Sequence, residues 1–189
     1  MEEFTIMPIN QQHWSQIINL SDVNFGPNYI KLDDLSQYFG SKQHKNALCS
    51  FVLANKGGEV KGFRITFAPG HWPKNLLDKS LYQKWPYALD EVAYFKTLLV
   101  DSILQGQGWG PKLTQLSINE LIKMGTKAIV CHSWKESPNN SSQRYLLKMD
   151  FKPIGEIKNF WQDKEYFCLG CQQTACICTA IEMIKIIKE

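Results

Sequence analysis

Leu98-Leu99-Val100-Asp101-Ser102-Ile103-Leu104-Gln105-Gly106-Gln107-Gly108-Trp109-Gly110-Pro111-Lys112 governs how the rest of this 189-residue chain is read. An apolar, β-branched run leads into a loop in which Gly106, Gly108 and Gly110 alternate, and an amphipathic segment follows. Pro111 stands where a first helical turn tolerates a missing N–H. Leu113, Leu116, Leu121, Ile122 and Met124 recur at helical spacing, with Lys112, Gln115, Asn119 and Lys123 between them. The order is strand, glycine loop, helix N-terminus. Free N–H groups at a helix start carry partial positive charge, and glycines let the backbone come close to an anion. Such a loop suits a phosphate held mainly by the main chain. A dinucleotide fingerprint would need glycine where Pro111 stands, and a P-loop would need Gly-Lys-Ser/Thr, which is missing.

Gln105-Gly106-Gln107-Gly108-Trp109-Gly110 fits the pattern Gln/Arg-x-x-Gly-x-Gly/Ala, and with it the chain resembles the GCN5-related N-acetyltransferase (GNAT) superfamily. The resemblance implies a motif that follows the fourth strand and holds the pyrophosphate of acetyl-coenzyme A. Carried over residue by residue, the phosphates fall on Gln105, Gln107, Gly108, Gly110 and Lys112, with Gly106 and Trp109 completing the loop. The backbone of Leu98, Leu99 and Val100 would then bind the pantetheine arm and polarise the thioester carbonyl. A second stretch, Asn140 to Gly155, resembles the family's other signature through Asn139 or Asn140, Lys148, Met149 and Phe151. Asp150 replaces its usual glycine, and Leu146 occupies the slot of its tyrosine.

Length and composition agree with one soluble domain spanning residues 1–189, its core motif over 91–151. A net charge of +3 is too small to imply nucleic acid, and no apolar run is long enough to span a membrane. The acidic start Met-Glu-Glu-Phe does not read as a signal peptide, so a cytoplasmic location is the expectation. A homodimer is expected only by analogy with the architecture.

Phe4 to Ile9 reads as a first strand, Asn10 as a helix cap, and Leu32 to Phe39 as a second helix. Leu48–Asn55 and Val60–Ala68 read as a hairpin about Gly57-Gly58. Pro69 to Leu89 reads as an insertion with a short helix near Leu76–Tyr82. Its Trp72, Tyr82, Trp85 and Tyr87 either line an acceptor pocket or pack the loop onto the sheet. Strands over Glu91–Val100, Lys127–Trp134, from Phe151 and over Ala180–Ile187 complete an α/β (α+β) fold. Its centre is a mixed, twisted sheet of about seven strands with helices on both faces.

Acetyl transfer to an amine needs a proton acceptor for the amine and a proton donor for the departing thiolate. Glu91, beside Asp90 at the head of the fourth strand, is either that base or a solvated edge carboxylate. His132 is either a proton relay or a structural histidine. Tyr145 is the candidate acid, although one residue out of register turns a helical side chain by about 100°. Cys168, Cys171, Cys176 and Cys178 crowd one loop before the last strand. They suit a structural zinc ion, with free thiols, a disulfide or a redox role as the alternatives. The expected activity is an N-acetyltransferase acting on an amine of a small molecule or peptide. The competing possibilities are a non-catalytic acyl-coenzyme A sensor and a metal- or thiol-responsive protein.

Overall fold

The computed structural model describes residues 3–40 and 44–187. Seven strands form one sheet in the order β1-β2-β3-β4-β5-β7-β6. These are β1 (Phe4–Pro8), β2 (Phe51–Asn55), β3 (Val60–Phe67), β4 (Val92–Val100), β5 (Ala128–Trp134), β6 (Lys152–Ile157) and β7 (Ala180–Ile186). All neighbours are antiparallel except β4 and β5, which run parallel from Val92↔Ala128 to Phe95↔Cys131. A parallel neighbour requires a crossover, and α5 (Trp109–Lys123) supplies it.

Helices cover both faces. On one, Ile17 of α1 (Trp14–Phe25) and Leu35 and Tyr38 of α2 (Leu32–Phe39) pack with Phe63, Ile65, Phe67, Val92 and Tyr94. On the other, Ile118 and Leu121 of α5 and Leu146 of α6 (Ser141–Lys148) pack with Phe95, Ile129, Cys131 and Met183. A short α3 (His44–Leu48) takes the start of what reads in sequence as one long strand. Its cause is long-range: the Asn46 amide donates to Tyr38 O and accepts from Ala68 N, both at 2.8 Å. No local pattern encodes that pin.

The insertion between β3 and β4 holds α4 (Lys74–Leu77) and a 3-10 turn at Tyr82–Lys84 instead of one helix over 76–82. Its tryptophans pack the loop onto the sheet. Trp72 donates to Val92 O at 2.9 Å and stacks near Tyr94 and Trp85. Glu91, read from sequence as a base or a solvated edge carboxylate, lies just ahead of β4. It closes a 3-10 turn before β4, and its carboxylate accepts the Ala88 N–H. Four residues separate it from Phe95, where β4 and β5 last pair, which at about 3.3 Å per residue is roughly 13 Å.

His132 also differs from a solvent-facing relay. Its side chain is 1 % exposed, and both ring nitrogens are taken: Nε2 lies 2.8 Å from Glu182 and Nδ1 2.8 Å from the Tyr94 hydroxyl. Glu182 is surrounded by donors, with the Leu81 N–H reaching both oxygens at 3.0 and 3.1 Å and Trp85 Nε1–H at 2.8 Å. Burial opposes its charge, but the His132 bond, with Trp85 and Leu81, holds the carboxyl below its ordinary range. Burial pulls His132 down against the attraction of Glu182, with Lys96 adding a smaller repulsion. The consistent state is an ionised Glu182 accepting from Nε2–H of a neutral imidazole, which leaves Nδ1 to accept the Tyr94 proton. This chain joins β4, β5, β7 and the insertion.

Glu182→Ala leaves three buried donors unpaired, and a loss of about 3 kcal/mol or more is expected in chemical denaturation. Acid acts through the same residues. Unfolded His132 takes up a proton below its ordinary pKa of 6.5 while the folded ring stays neutral to lower pH. That stability is therefore complete above pH 6.5 and is lost as pH falls, with Glu182 adding a further loss below 4.5. Thermal melts of His132→Gln should show a flatter decline than wild type between pH 7 and 5.

Candidate active site

Beyond Phe95 the two parallel strands part. β5 continues to Trp134 paired only with β7, while Leu98, Leu99 and Val100 keep β3 on one side and have no strand on the other. The β3–β4 register slips between Ile65 and Thr66, where Ile65 faces Thr97 and Thr66 faces Phe95, which leaves Lys96 as the bulged residue. A bulge bends its strand and adds twist, and here it stands at the point of separation. The main chain of β4 thus offers an open edge that runs straight into the glycine motif.

The motif folds as the sequence implies. Asp101 caps a 3-10 turn over Ser102–Leu104, accepting from Ile103 N at 3.2 Å. Gln105 donates to Val100 O at 3.0 Å and Gln107 to Ile103 O at 2.9 Å, so both amide side chains brace the turn. Gly106 and Gly108 take φ of +78° and +83°, a left-handed conformation open to glycine, and a Cβ on either would meet nothing within 4 Å. Gly108 is the N-cap of α5. The amides of Trp109 and Gly110 in its first turn have no partner within the helix. The Lys112 ammonium lies 4.2 Å over the Trp109 ring, beside the same turn.

Tyr145, not Leu146, faces this helix. Its hydroxyl donates to Gly110 O at 3.2 Å and lies 2.5 Å from Thr114 Oγ1, while Leu146 is buried in the core. The register offset in the sequence does not turn the phenol away. Behind the pair lies Arg64 of β3, only 3 % exposed, which donates to Thr114 Oγ1 at 2.9 Å and sits 4.0 Å over the Phe95 ring. With one proton on each hydroxyl, the chain runs Arg64 to Thr114 to Tyr145 to Gly110 O. Arg64 stands out in sequence only as a charge inside an apolar run.

On the opposite face, where β4 and β5 separate, lies a cavity of about 220 Å3. Its walls are the α1–α2 turn with Tyr29, α2 with Asp34 and Tyr38, Lys96 of β4, and Asp163, Lys164 and Glu165 from the connection between β6 and β7. Gly26 lets the α1–α2 turn abut that connection, since a Cβ there would collide with the carbonyl oxygen of Phe167. Leu169 N donates to Phe25 O at 3.1 Å across the same seam. The cysteines lie in the connection as well. The sulfurs of Cys168, Cys171, Cys176 and Cys178 are all within 4.8 Å of one another, and three of the four residues are buried. About 3.8 Å separates sulfurs around a tetrahedral zinc with Zn–S bonds of about 2.3 Å, so the donor set fits such an ion.

Comparison with solved structures gives the same architecture. Arabidopsis thaliana Naa50, in complex with the bisubstrate analogue CoA-Ac-MVNAL, superposes with a TM-score of 0.61 at 14% identity over 97% of this chain and 99% of that one. The ribosomal-protein-S18-alanine N-acetyltransferase of Escherichia coli gives 0.64 at 18% identity over 99% and 96%. A GNAT-family acetyltransferase of Staphylococcus aureus Mu50 gives 0.63 at 13% identity over 98% and 100%. No protein-family model and no curated protein sequence matches the chain. This chain has the fold of the GNAT acetyltransferases.

Proposed function

We propose that the chain is an acetyl-coenzyme A-dependent N-acetyltransferase. The observation that carries this is the open backbone edge of β4 running into an uncapped α5 N-terminus through Gly106 and Gly108. Coenzyme A in the complex of a protein sharing the fold supports the same assignment. Acetyl-coenzyme A would supply the acyl group as a thioester, for direct attack by a neutral amine with loss of the thiol. The amides of Gly106, Gly108, Trp109 and Gly110 would hold its phosphates, helped by Lys112, and Leu98 to Val100 would pair with the amide-bearing arm. Gln105 and Gln107 shape the loop through bonds to Val100 and Ile103. We assign the proton for the leaving thiolate to Tyr145, whose hydroxyl is held by Thr114 and Gly110 O with Arg64 behind. Of the side chains expected from sequence to act on protons, Tyr145 alone is aimed at that turn.

Calorimetric titration with acetyl-coenzyme A should give saturable binding. Gly108→Val, strained at a φ of +83° and bulky on the loop, should weaken it at least ten-fold. Absence of binding to wild type would remove the assignment, and binding without thiol release on any amine would favour a sensor. Tyr145→Phe keeps the ring packing but removes the proton, so single-turnover thiol release should slow by roughly ten- to a hundred-fold. An unchanged rate would retire Tyr145 as the acid.

The cysteine cluster supports a structural zinc that ties the β6–β7 connection into the cavity wall. Protein purified without chelator should contain one zinc per chain. Cys176→Ser should lose it and melt at lower temperature. A metal-free wild type with four titratable thiols would rule the ion out.

A further inference from the structure

Residues 158–179, between β6 and β7, contain no helix and no regular strand, only the single bridge Cys168↔Gln173. Irregular segments of that length are uncommon in compact domains and need something to hold them. Phe160 anchors the start by stacking on His132 at 4.0 Å. Between Phe160 and β7 the buried residues are Tyr166, Cys168, Cys176 and Cys178. Phe167, Leu169 and Ile177, the apolar neighbours of those cysteines, are exposed. Were hydrocarbon burial the tie, these three side chains would point inward. Sulfur holds the inward positions instead.

The sulfur cluster is also the docking point. Leu169 and Gly170, the two residues between Cys168 and Cys171, touch the rest of the fold directly. The Leu169 N–H donates to Phe25 O at the end of α1, and a Cβ on Gly170 would collide with the Trp134 ring at the end of β5. The Tyr166 hydroxyl faces the sulfurs of Cys168 and Cys176, and its ring lies 5.4 Å from that of Tyr29. Tyr29 lines the cavity at the β4–β5 parting, as do Asp163, Lys164 and Glu165 shortly ahead of Cys168. Four uncoordinated thiols are weak hydrogen-bonding groups and small hydrophobes, a poor return for ordering so long a segment. One ion bound by all four fixes the chain at four points, and its binding free energy becomes folding free energy of the segment. The apolar clusters beneath α5 and α6 include no residue of 158–179, so they do not need it.

We propose that the four cysteines form a regulatory zinc site whose occupancy decides whether the cavity has its wall. With zinc bound, residues 161–178 dock on α1 and β5. Without it this segment detaches, while the sheet and the glycine motif stay folded. The chain then carries a complete cavity only where zinc is supplied. This rests on the zinc reading of the cysteines and not on the acetyltransferase assignment.

Amide hydrogen exchange followed by mass spectrometry tests it on the full chain as purified, after stripping with a chelator, and after zinc is returned. Stripping should speed exchange about ten-fold or more in residues 161–178 and in the α1–α2 turn, and leave β4 and α5 as they were. Returned zinc should restore the protection. The double variant Cys168→Ser/Cys171→Ser should behave as the stripped protein does and gain nothing from added zinc. Acetyl-coenzyme A, titrated into both wild-type forms, should bind them with affinities within about two-fold of each other, because the glycine motif lies on the opposite face. A chain that takes up no zinc overturns both the zinc reading and the proposal. Zinc uptake with unchanged exchange in the two segments overturns the proposal alone, as does faster exchange throughout the sheet or an acetyl-coenzyme A affinity that falls with the metal. Local, zinc-reversible exchange in a chain that binds no acetyl-coenzyme A upholds the proposal and removes the transferase assignment.

Discussion

Only four residue pairs join β4 to β5, from Val92↔Ala128 to Phe95↔Cys131, and the site depends on the pairing stopping there. Had it continued, the backbone of Leu98 to Val100 would be spent on sheet hydrogen bonds. Two features separate the strands. The bulge at Lys96 redirects β4, and the unbroken ladder between β5 and β7, from Ala128↔Ile186 to Trp134↔Ala180, keeps β5 on its own course. One strand bends while its neighbour is held straight.

The last paired residues are also where the interior is most heavily cross-linked. Tyr94 and His132 lie beside the final pair, and their bonds to one another and to Glu182 tie β4, β5 and β7 together just before the gap. Trp85 and Leu81 bring the 69–89 insertion into the same network. A splayed sheet exposes unpaired backbone and invites collapse or further pairing. A saturated polar network at its root resists both. His132 therefore ties the frame of the site together, its ring buried and both its nitrogens bonded within the protein.

The glycine motif was legible because its physics is local: alternating glycines, a proline at the third helical position and a following amphipathic run. The succession of strands along the chain also followed from apolar runs and turn residues, although their order in the sheet did not. What stayed hidden is non-local. Glu91 looked like the head of a strand because Asp90 and Glu91 precede an apolar run, but the Ala88 N–H draws its carboxylate into a turn. Tyr145 looked misplaced because the family pattern sets its tyrosine at Leu146, yet the Tyr145 phenol is the one that reaches Thr114 and Gly110 O on α5. A usable signal was nevertheless present. Arg64, Lys96 and Glu182 are charges flanked by apolar residues in the middle of β3, β4 and β7, and a charge placed mid-strand in a buried sheet requires a specific reason.

Those three charges meet the same constraint in three ways, and the differences carry functional meaning. Glu182 has a full set of donors, so nothing remains for a ligand to satisfy and its role ends with structure. Arg64 has a hydroxyl and an aromatic face but no carboxylate, and a guanidinium stays charged in such a place because its charge is delocalised and weakly hydrated. Its charge therefore stands beside Thr114 and, through it, Tyr145. Lys96 has the Tyr29 hydroxyl and ring face, with the charge of Asp34 on the same cavity wall acting on it through space. Of the three, Glu182 alone has donors on both oxygens, whereas Arg64 keeps a buried Nε without a partner and Lys96 lines a cavity.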